Sequence, residues 1–271
     1  MLKNPKSIWV LGATSGVGLE TAKAFAKEGH EVLGTTSDIE KAKVKFEFPL
    51  PFPLIEMDLA NEASRMRGLQ EALEASGVPD VVVFNAGSGE IGSIEDTSIG
   101  VMRTQFEVNY FGHLFVLKSL LPSMRERQSG HLIFLGSVVY SLPFPFKATY
   151  SASKSALSSL ALSLRQEVRP HGLHVHLLEP GWIRSNFHNT LKAHRVNEGV
   201  YNDRLTPFED HSRDRENKYP DGKRVASIIQ NLVRNPTKKT RIVVGPDAKV
   251  FFLVRRFLSW SWIEKILLNK Y

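Results

Sequence analysis

The chain has 271 residues, of which 42% are hydrophobic and 23% charged. That balance excludes a disordered, collagenous or multi-span membrane chain, and the length allows a large buried core. There is no cysteine, so disulfides, thiol catalysis, iron–sulfur clusters and cysteine-ligated zinc are excluded. The formal charge of +7 is carried by the last fifth of the chain: residues 1–181 hold 17 basic and 19 acidic side chains, residues 182–221 seven of each, and residues 222–271 eleven basic and two acidic.

In chain order, Ser7–Leu11 predicts a buried strand, followed by a glycine turn and a helix over Val17–Lys27 that stops before Gly29. Glu31–Thr35 and Pro53–Met57 predict the next strands, the latter ending at Asp58. Glu62–Ala75 reads as a helix with Gly77 as its stop, and Asp80–Phe84 as a strand running into Asn85-Ala86-Gly87. One long helix is expected over Gly100–Arg127, with Pro122 marking a boundary or kink. His131–Gly136 predicts a strand, Thr149–Val168 a long helix, Leu173–Leu178 a strand, Val225–Val233 a helix and Arg241–Val244 a last strand. Strands separated by helices of this length call for an α/β fold, a doubly wound parallel sheet covered on both faces. Ligands of such sheets bind at the carboxyl ends of the strands. Residues 182–221 are polar without clear periodicity and read as a lid.

The first turn reads Gly12-Ala13-Thr14-Ser15-Gly16-Val17-Gly18. Glycines let backbone approach a ligand closely, and the N–H groups of the following helix face a phosphate. Tyr150 and Lys154 stand at i and i+4 on one helix face. A tyrosine is a poor base at neutral pH, and a neighbouring ammonium is expected to lower its pKa toward usefulness. Ser137, just past a strand, and Asn109, on the long helix, are further polar candidates; Asn109 is expected to hold a water and the Lys154 head group. His171, His174 and His176 have no accompanying carboxylate cluster, so no metal site is expected. The apolar run from Ile8 reaches a glycine turn too soon for a secretory signal, so a cytoplasmic protein is expected.

Glycines 12, 16 and 18, Asn85-Ala86-Gly87, Asn109, Ser137, Tyr150, Lys154 and Pro180-Gly181 occur together and in order. Over residues 6–248 the chain resembles the classical short-chain dehydrogenase/reductase family. The resemblance implies a Rossmann-type single domain over residues 1–248. It implies that Gly12, Thr14, Ser15, Gly16, Val17 and Gly18 hold a cofactor pyrophosphate, and that Asp58 with Leu59 meets the adenine. Asn85, Ala86 and Gly87 would line the cofactor site. Asn109, Ser137, Tyr150 and Lys154 match the catalytic tetrad, with Lys154 also on the nicotinamide ribose. Pro180, Gly181 and Ile183 match the segment beside the nicotinamide, where Ser185 replaces the usual threonine.

Where an NAD enzyme of this kind carries an acid, this chain has Thr36, followed by Ser37. Without a carboxylate to repel a 2′-phosphate, NADP is the expected cofactor; NAD stays open, because Asp38 is close and no arginine stands at Ser15 or Ser37. The apolar loop after the fifth strand, with Val139, Phe144 and Phe146, and the residues Trp182 and Phe187 argue for a hydrophobic lipid-, steroid- or retinoid-like substrate. The implied reaction is hydride transfer to or from a carbonyl or secondary alcohol. The rival readings are a non-catalytic NADP-binding sensor or scaffold and a reductase of carrier-linked 3-ketoacyl thioesters. No nucleic-acid partner is expected, and a homo-oligomer is.

The tail, residues 249–271, is basic and amphipathic. On a helix over Ala248–Leu258, Lys249, Arg255 and Arg256 share one side with Phe252, while Val250, Phe251, Leu253, Val254, Phe257 and Leu258 occupy the other. Ser261-x-x-Glu264 is a capping-box pattern for a second helix. With Trp260 and Trp262, this predicts peripheral, in-plane membrane contact rather than a span.

Overall fold

Strand β1, Ser7–Leu11, shows how the sequence builds the sheet: Ile8 and Val10 enter one apolar core while Trp9 and Leu11 enter another on the opposite face. The same division recurs in β4, Val81–Phe84, where Val81 and Val83 face one layer and Val82 and Phe84 the other. Strands buried on both faces are near-continuous apolar runs, which only a parallel sheet with helices on both sides can hide. Each large side chain removed from water in this way contributes roughly 1.5–3 kcal/mol. The structure is a computed structural model and describes residues 4–46, 49–184, 192–194, 200–213 and 219–268.

The remaining strands of the main sheet are β2, Glu31–Thr36; β3, Leu54–Glu56; β6, Gly130–Leu135; β7, Leu173–Pro180; and β9, Arg241–Val244. A short second sheet pairs β5, Glu90–Gly92, with β8, Lys192–His194. The seven-stranded sheet runs β3-β2-β1-β4-β6-β7-β9, every pairing parallel. Chain order reverses between β1 and β4, the switch point at which such sheets open a crevice.

One face carries α1, Gly16–Lys27, and α8, Gly222–Arg234, whose Phe25, Val225 and Ile229 pack on Ile8, Val83 and Ile133. The other face carries α3, Glu62–Ser76; α5, Gly112–Glu126; and α6, Ala148–Val168. There Phe84 stacks on Phe134 with ring centroids 4.4 Å apart, and Trp9 Nε1 donates to Ser76 Oγ at 2.8 Å. His131 stacks on His174 at 5.0 Å, and His176 Nδ1 lies 3.2 Å from the Lys239 carbonyl. These histidines are side chains of the sheet, and among the described residues no cluster has the makings of a metal site.

Several elements differ from the sequence reading. Helix α2, Ile39–Lys45, was not among the predicted elements; it is capped by Asp38, which accepts from Lys41 N, and buries only Ala42. The expected single helix over 100–127 is three pieces: α4, Ile99–Phe106, a π-helical stretch over Glu107–Phe111, and α5. Pro122 lies inside α5 without ending it. The lid region contains β8 and α7, Asn202–Arg213.

The tail forms α9, Pro246–Phe257, and α10, Trp260–Leu268. The predicted capping box does not form. Ser259 carbonyl accepts from Trp262 N and Ile263 N, so α10 begins at Trp260 and Ser261 already lies inside it. The start of α9 is tied to the body, because Trp182 N donates to Asp247 Oδ2 at 2.8 Å. Phe252 also faces the body, its ring 6.3 Å from that of Tyr140 and 5.2 Å from the Arg241 guanidinium. Val250, Leu253, Phe257, Trp260 and Trp262 remain exposed. No described helix is long and apolar enough to cross a membrane.

Candidate active site

The carboxyl ends of β1, β2, β4, β6 and β7 open onto one cleft of about 930 Å³. Its first end is built by the turn from β1 to α1. Gly12 has φ +78°, and a Cβ there would press on Ala86 Cα. The turn is moored to neighbouring strands: Gly12 N donates to Thr35 Oγ1 at 3.1 Å, Ala13 N to Thr35 O at 2.8 Å, and Asn85 Nδ2 to Gly12 O at 2.8 Å. Ser15 stands at the N-cap of α1, where its carbonyl accepts from Leu19 N at 3.1 Å but its side chain makes no cap bond, so the first N–H groups have no side-chain cap. Thr14, Ser15, Gly16 and Val17 line the cleft beside them. Gly18 does not line it. A methyl on Gly18 would collide with the Gly12 carbonyl oxygen, so this residue lets the helix pack under the turn.

Thr36, Ser37, Asp58, Leu59, Asn85, Ala86 and Gly87 continue the wall. Asp58 Oδ1 accepts from Ala60 N at 2.9 Å. Lys41 and Lys45 of α2 also reach this wall, a feature the sequence reading missed. They stand at i and i+4 directly after β2, which was the available signal. Lys45 Nζ donates to the Thr14 carbonyl at 2.7 Å, and Lys41 pairs with Asp38 at 2.8 Å.

Ser137, Tyr150 and Lys154 meet in mid-cleft. Burial pushes the Tyr150 phenol up to about 12, against the hydrogen bond with the Ser137 side chain, which acts to lower it. The expectation that Lys154 would lower this pKa is not met. Lys154 is itself buried, donates from Nζ to the Leu135 carbonyl at 2.9 Å, and is held down to about 8 by burial. Shared burial disfavours both charges, which a helix-face argument does not see. The phenol and hydroxyl can together donate to one oxygen placed before them.

Asn109 is fully buried in the π-helical stretch, behind the cleft wall. Its Nδ2 donates to Ser153 Oγ at 2.9 Å and to Ser88 O at 3.0 Å, and its Oδ1 accepts from Ser88 N at 2.9 Å. The direct bonds of the Asn109 side chain thus clasp Ser88 and α6 rather than the Lys154 head group. The extra residue of a π turn rotates the following helix face, which is why Asn109 reaches this clasp.

Pro180, Gly181 and Ile183 close the mid-cleft, and Val139, Phe144 and Trp182 form its far end. Phe146 is a correction: it lies outside the wall and packs on Phe208, ring centroids 5.8 Å apart, in a satellite core with Ile91 and Leu205. Its φ of +61° turns the chain there. Ser185 and Phe187 lie outside the described residues. Phe208 of α7 and Lys147, the residue preceding α6, complete this end and were not singled out from the sequence. Phe208 is supplied by a distant helix that carries no motif; the signal for Lys147 was its position three residues before Tyr150.

Residues 6–196 match the family described as short chain dehydrogenase. Dehydrogenase/reductase SDR family member 7B of Mus musculus is 35% identical over 187 residues, which cover 65% of this chain but only 57% of that protein. The 3-ketodihydrosphingosine reductase of Bacteroides thetaiotaomicron is 29% identical over 263 residues, 96% of this chain and 93% of the relative. A crystal structure of a short-chain dehydrogenase from Streptomyces avermitilis superposes with a TM-score of 0.81 at 29% identity, covering 98% of this chain and 96% of the other. A parallel sheet opening at its switch point onto a glycine turn, a matched stretch of more than half the chain and a superposition over nearly all of it agree: the chain belongs to the short chain dehydrogenase family.

Proposed function

We propose that the protein is an NADP-dependent oxidoreductase acting on a carbonyl or secondary alcohol of a hydrophobic substrate. The observation that carries this reading is the Tyr150 phenol, hydrogen-bonded to Ser137, in the wall where the glycine-turn end of the cleft meets the apolar end. The close backbone approach at Gly12 and the uncapped start of α1 fit a pyrophosphate held by Gly12, Thr14, Ser15, Gly16 and Val17. Thr36, Ser37, Lys41 and Lys45 fit a 2′-phosphate, and Asp58 an adenine amine. Lys154 would hold ribose hydroxyls, with Pro180, Gly181 and Ile183 beside the nicotinamide. When bound, the nicotinamide supplies or accepts the hydride.

Tyr150 keeps its proton at neutral pH, being pushed up to about 12, and so acts as proton donor to a carbonyl oxygen. Ser137 steadies the same oxygen. Asn109 acts at one remove, by fixing Ser88 and Ser153. Val139, Phe144, Trp182 and Phe208 exclude water from the reacting group. The likeness to a ketodihydrosphingosine reductase supports a keto compound as substrate. Coenzyme turnover, followed by nicotinamide absorbance over long-chain ketones, steroids, retinoids and acyl thioesters, tests the reading. Turnover that disappears in Tyr150→Phe supports it, and inactivity with tight NADP binding gives way to the sensor reading.

The tail reads as a peripheral contact with an anionic lipid surface, supported by exposed Val250, Leu253, Phe257 and Trp262 beside Arg255, Arg256 and Lys265. Flotation with anionic liposomes should be lost in Leu253→Glu/Phe257→Glu; unchanged flotation refutes the contact. Exposed Met66 and Phe111 support a homo-oligomer, which sedimentation would reveal.

A further inference from the structure

The far end of the cleft contains one charge that nothing else in the site explains. Lys147 is only 7% exposed and lines the cleft. Its Nζ lies 5.3 Å from the Trp182 ring centroid and 5.6 Å from that of Phe208. Rings at these distances offset part of the cost of burying an ammonium but do not take its N–H donors in ordinary hydrogen bonds. No ion pair or hydrogen bond joins this ammonium to another of the described residues, and burial alone brings it down to about 8.

Its place on the backbone adds a second cost. Lys147 is the N-cap residue of α6, a 21-residue helix with no side-chain cap and no acidic residue in its first turn. The start of a helix is electropositive, and a cation there is repelled rather than attracted. Burial and the helix N-terminus both disfavour this ammonium, and the two aromatic rings offset only part of that cost. An anion brought to the same point would satisfy the ammonium and the helix start together.

We propose that Lys147 binds an anionic group of the substrate, a carboxylate or a phosphate, one helical turn from the Tyr150 phenol. The substrate is then amphipathic: the anion meets Lys147, the reacting oxygen meets Tyr150 and Ser137, and the apolar remainder lies along Val139 and Phe144. A cationic group at the same position is disfavoured. This deepens the oxidoreductase reading and rests on it for the reacting oxygen, but not for the anion.

The test uses the full chain with saturating NADPH for turnover and saturating NADP for binding, so that the pyrophosphate site is filled. Reduction of 3-oxododecanoate and a long-chain 2-oxoalkyl phosphate is compared with that of methyl 3-oxododecanoate. The wild type should favour at least one of the two anions over the ester by about tenfold or more in kcat/KM, and whichever anion wins identifies the head group. In Lys147→Met this ratio should collapse toward one through a rise in KM, and Lys147→Arg should restore it. A wild-type ratio near one overturns the proposal whether or not the variants fold, and so does a ratio unchanged in Lys147→Met. If the wild type reduces no ketone, the oxidoreductase reading fails, and calorimetry with dodecanoate, dodecyl phosphate and dodecanol decides the anion site alone. Tighter binding of an anion by about tenfold upholds it, and equal binding of all three refutes it.

Discussion

At the glycine-turn end of the cleft the wall is largely backbone and short side chains at the ends of adjacent strands; at the aromatic end it is large side chains carried by separate segments. Gly12, Asn85 and Thr35 are locked to one another by hydrogen bonds between neighbouring strands. Phe144, Lys147, Trp182 and Phe208 come from the loop before α6, the segment after β7, and α7. Backbone groups offer the same donors and acceptors whatever the residue, so the first end suits a cofactor common to many enzymes. Side chains can be exchanged without disturbing the sheet, so the second end is where a particular substrate is chosen. Tyr150 stands between the two.

The comparison is broken most directly at that junction. Tyr150→Phe should lower kcat by about a hundred- to ten-thousand-fold while leaving nucleotide binding and the melting temperature near wild type. Near-normal turnover would move the chemistry elsewhere.

The next effect tests whether the glycine end is set by backbone packing. In Gly18→Ala the added methyl collides with the Gly12 carbonyl, and overpacking of this kind costs about 1–3 kcal/mol. Urea unfolding should show it as a lower midpoint, accompanied by weaker nucleotide binding. A fully stable variant would mean that the turn is looser than it looks. Lys41→Ala/Lys45→Ala probes side chains at the same end. It should raise the KM for NADPH by about tenfold and leave that for NADH unchanged, since only the 2′-phosphate differs. An equal change for both coenzymes assigns the two lysines a merely general field.

The most gradual effect, spread over several pH units, concerns the core beneath both ends. His113, His131 and His176 are buried, and burial holds them down to about 3, 3 and 4. Below pH 6.5 the unfolded chain takes up protons at these positions and the folded chain does not. Stability should therefore be flat in these groups above pH 6.5 and fall as the pH drops toward 4. Denaturant midpoints across that range would show the slope, and His176→Gln should make it shallower. The lysines act in the opposite range. Lys147 is held down to about 8, so Lys147→Met should raise the melting temperature at pH 7, with the gain fading as pH climbs from 8 to 10.5.

The sheet was legible because burial on both faces leaves long apolar runs; Arg241–Val244 was predicted to the residue. Helix α2 was missed because only Ala42 is buried, so it carries almost no periodic signal. The π-helical stretch was invisible because a 3.6-residue pattern passes over one inserted residue, yet that insertion decides what Asn109 holds. Phe146 was placed on the wall because its neighbour Phe144 belongs there, and a positive φ turned it toward Phe208 instead.

From its sequence alone this protein is determined to be a doubly wound parallel sheet with a glycine turn and a Tyr150–Lys154 pair on one helix, because spacing and apolar period are local properties. Only the tertiary structure decided that burial raises the Tyr150 pKa, that Asn109 clasps Ser88, and that Lys147 stands between Trp182 and Phe208. Desolvation and aromatic neighbours depend on segments far apart in the chain, and no local pattern carries them.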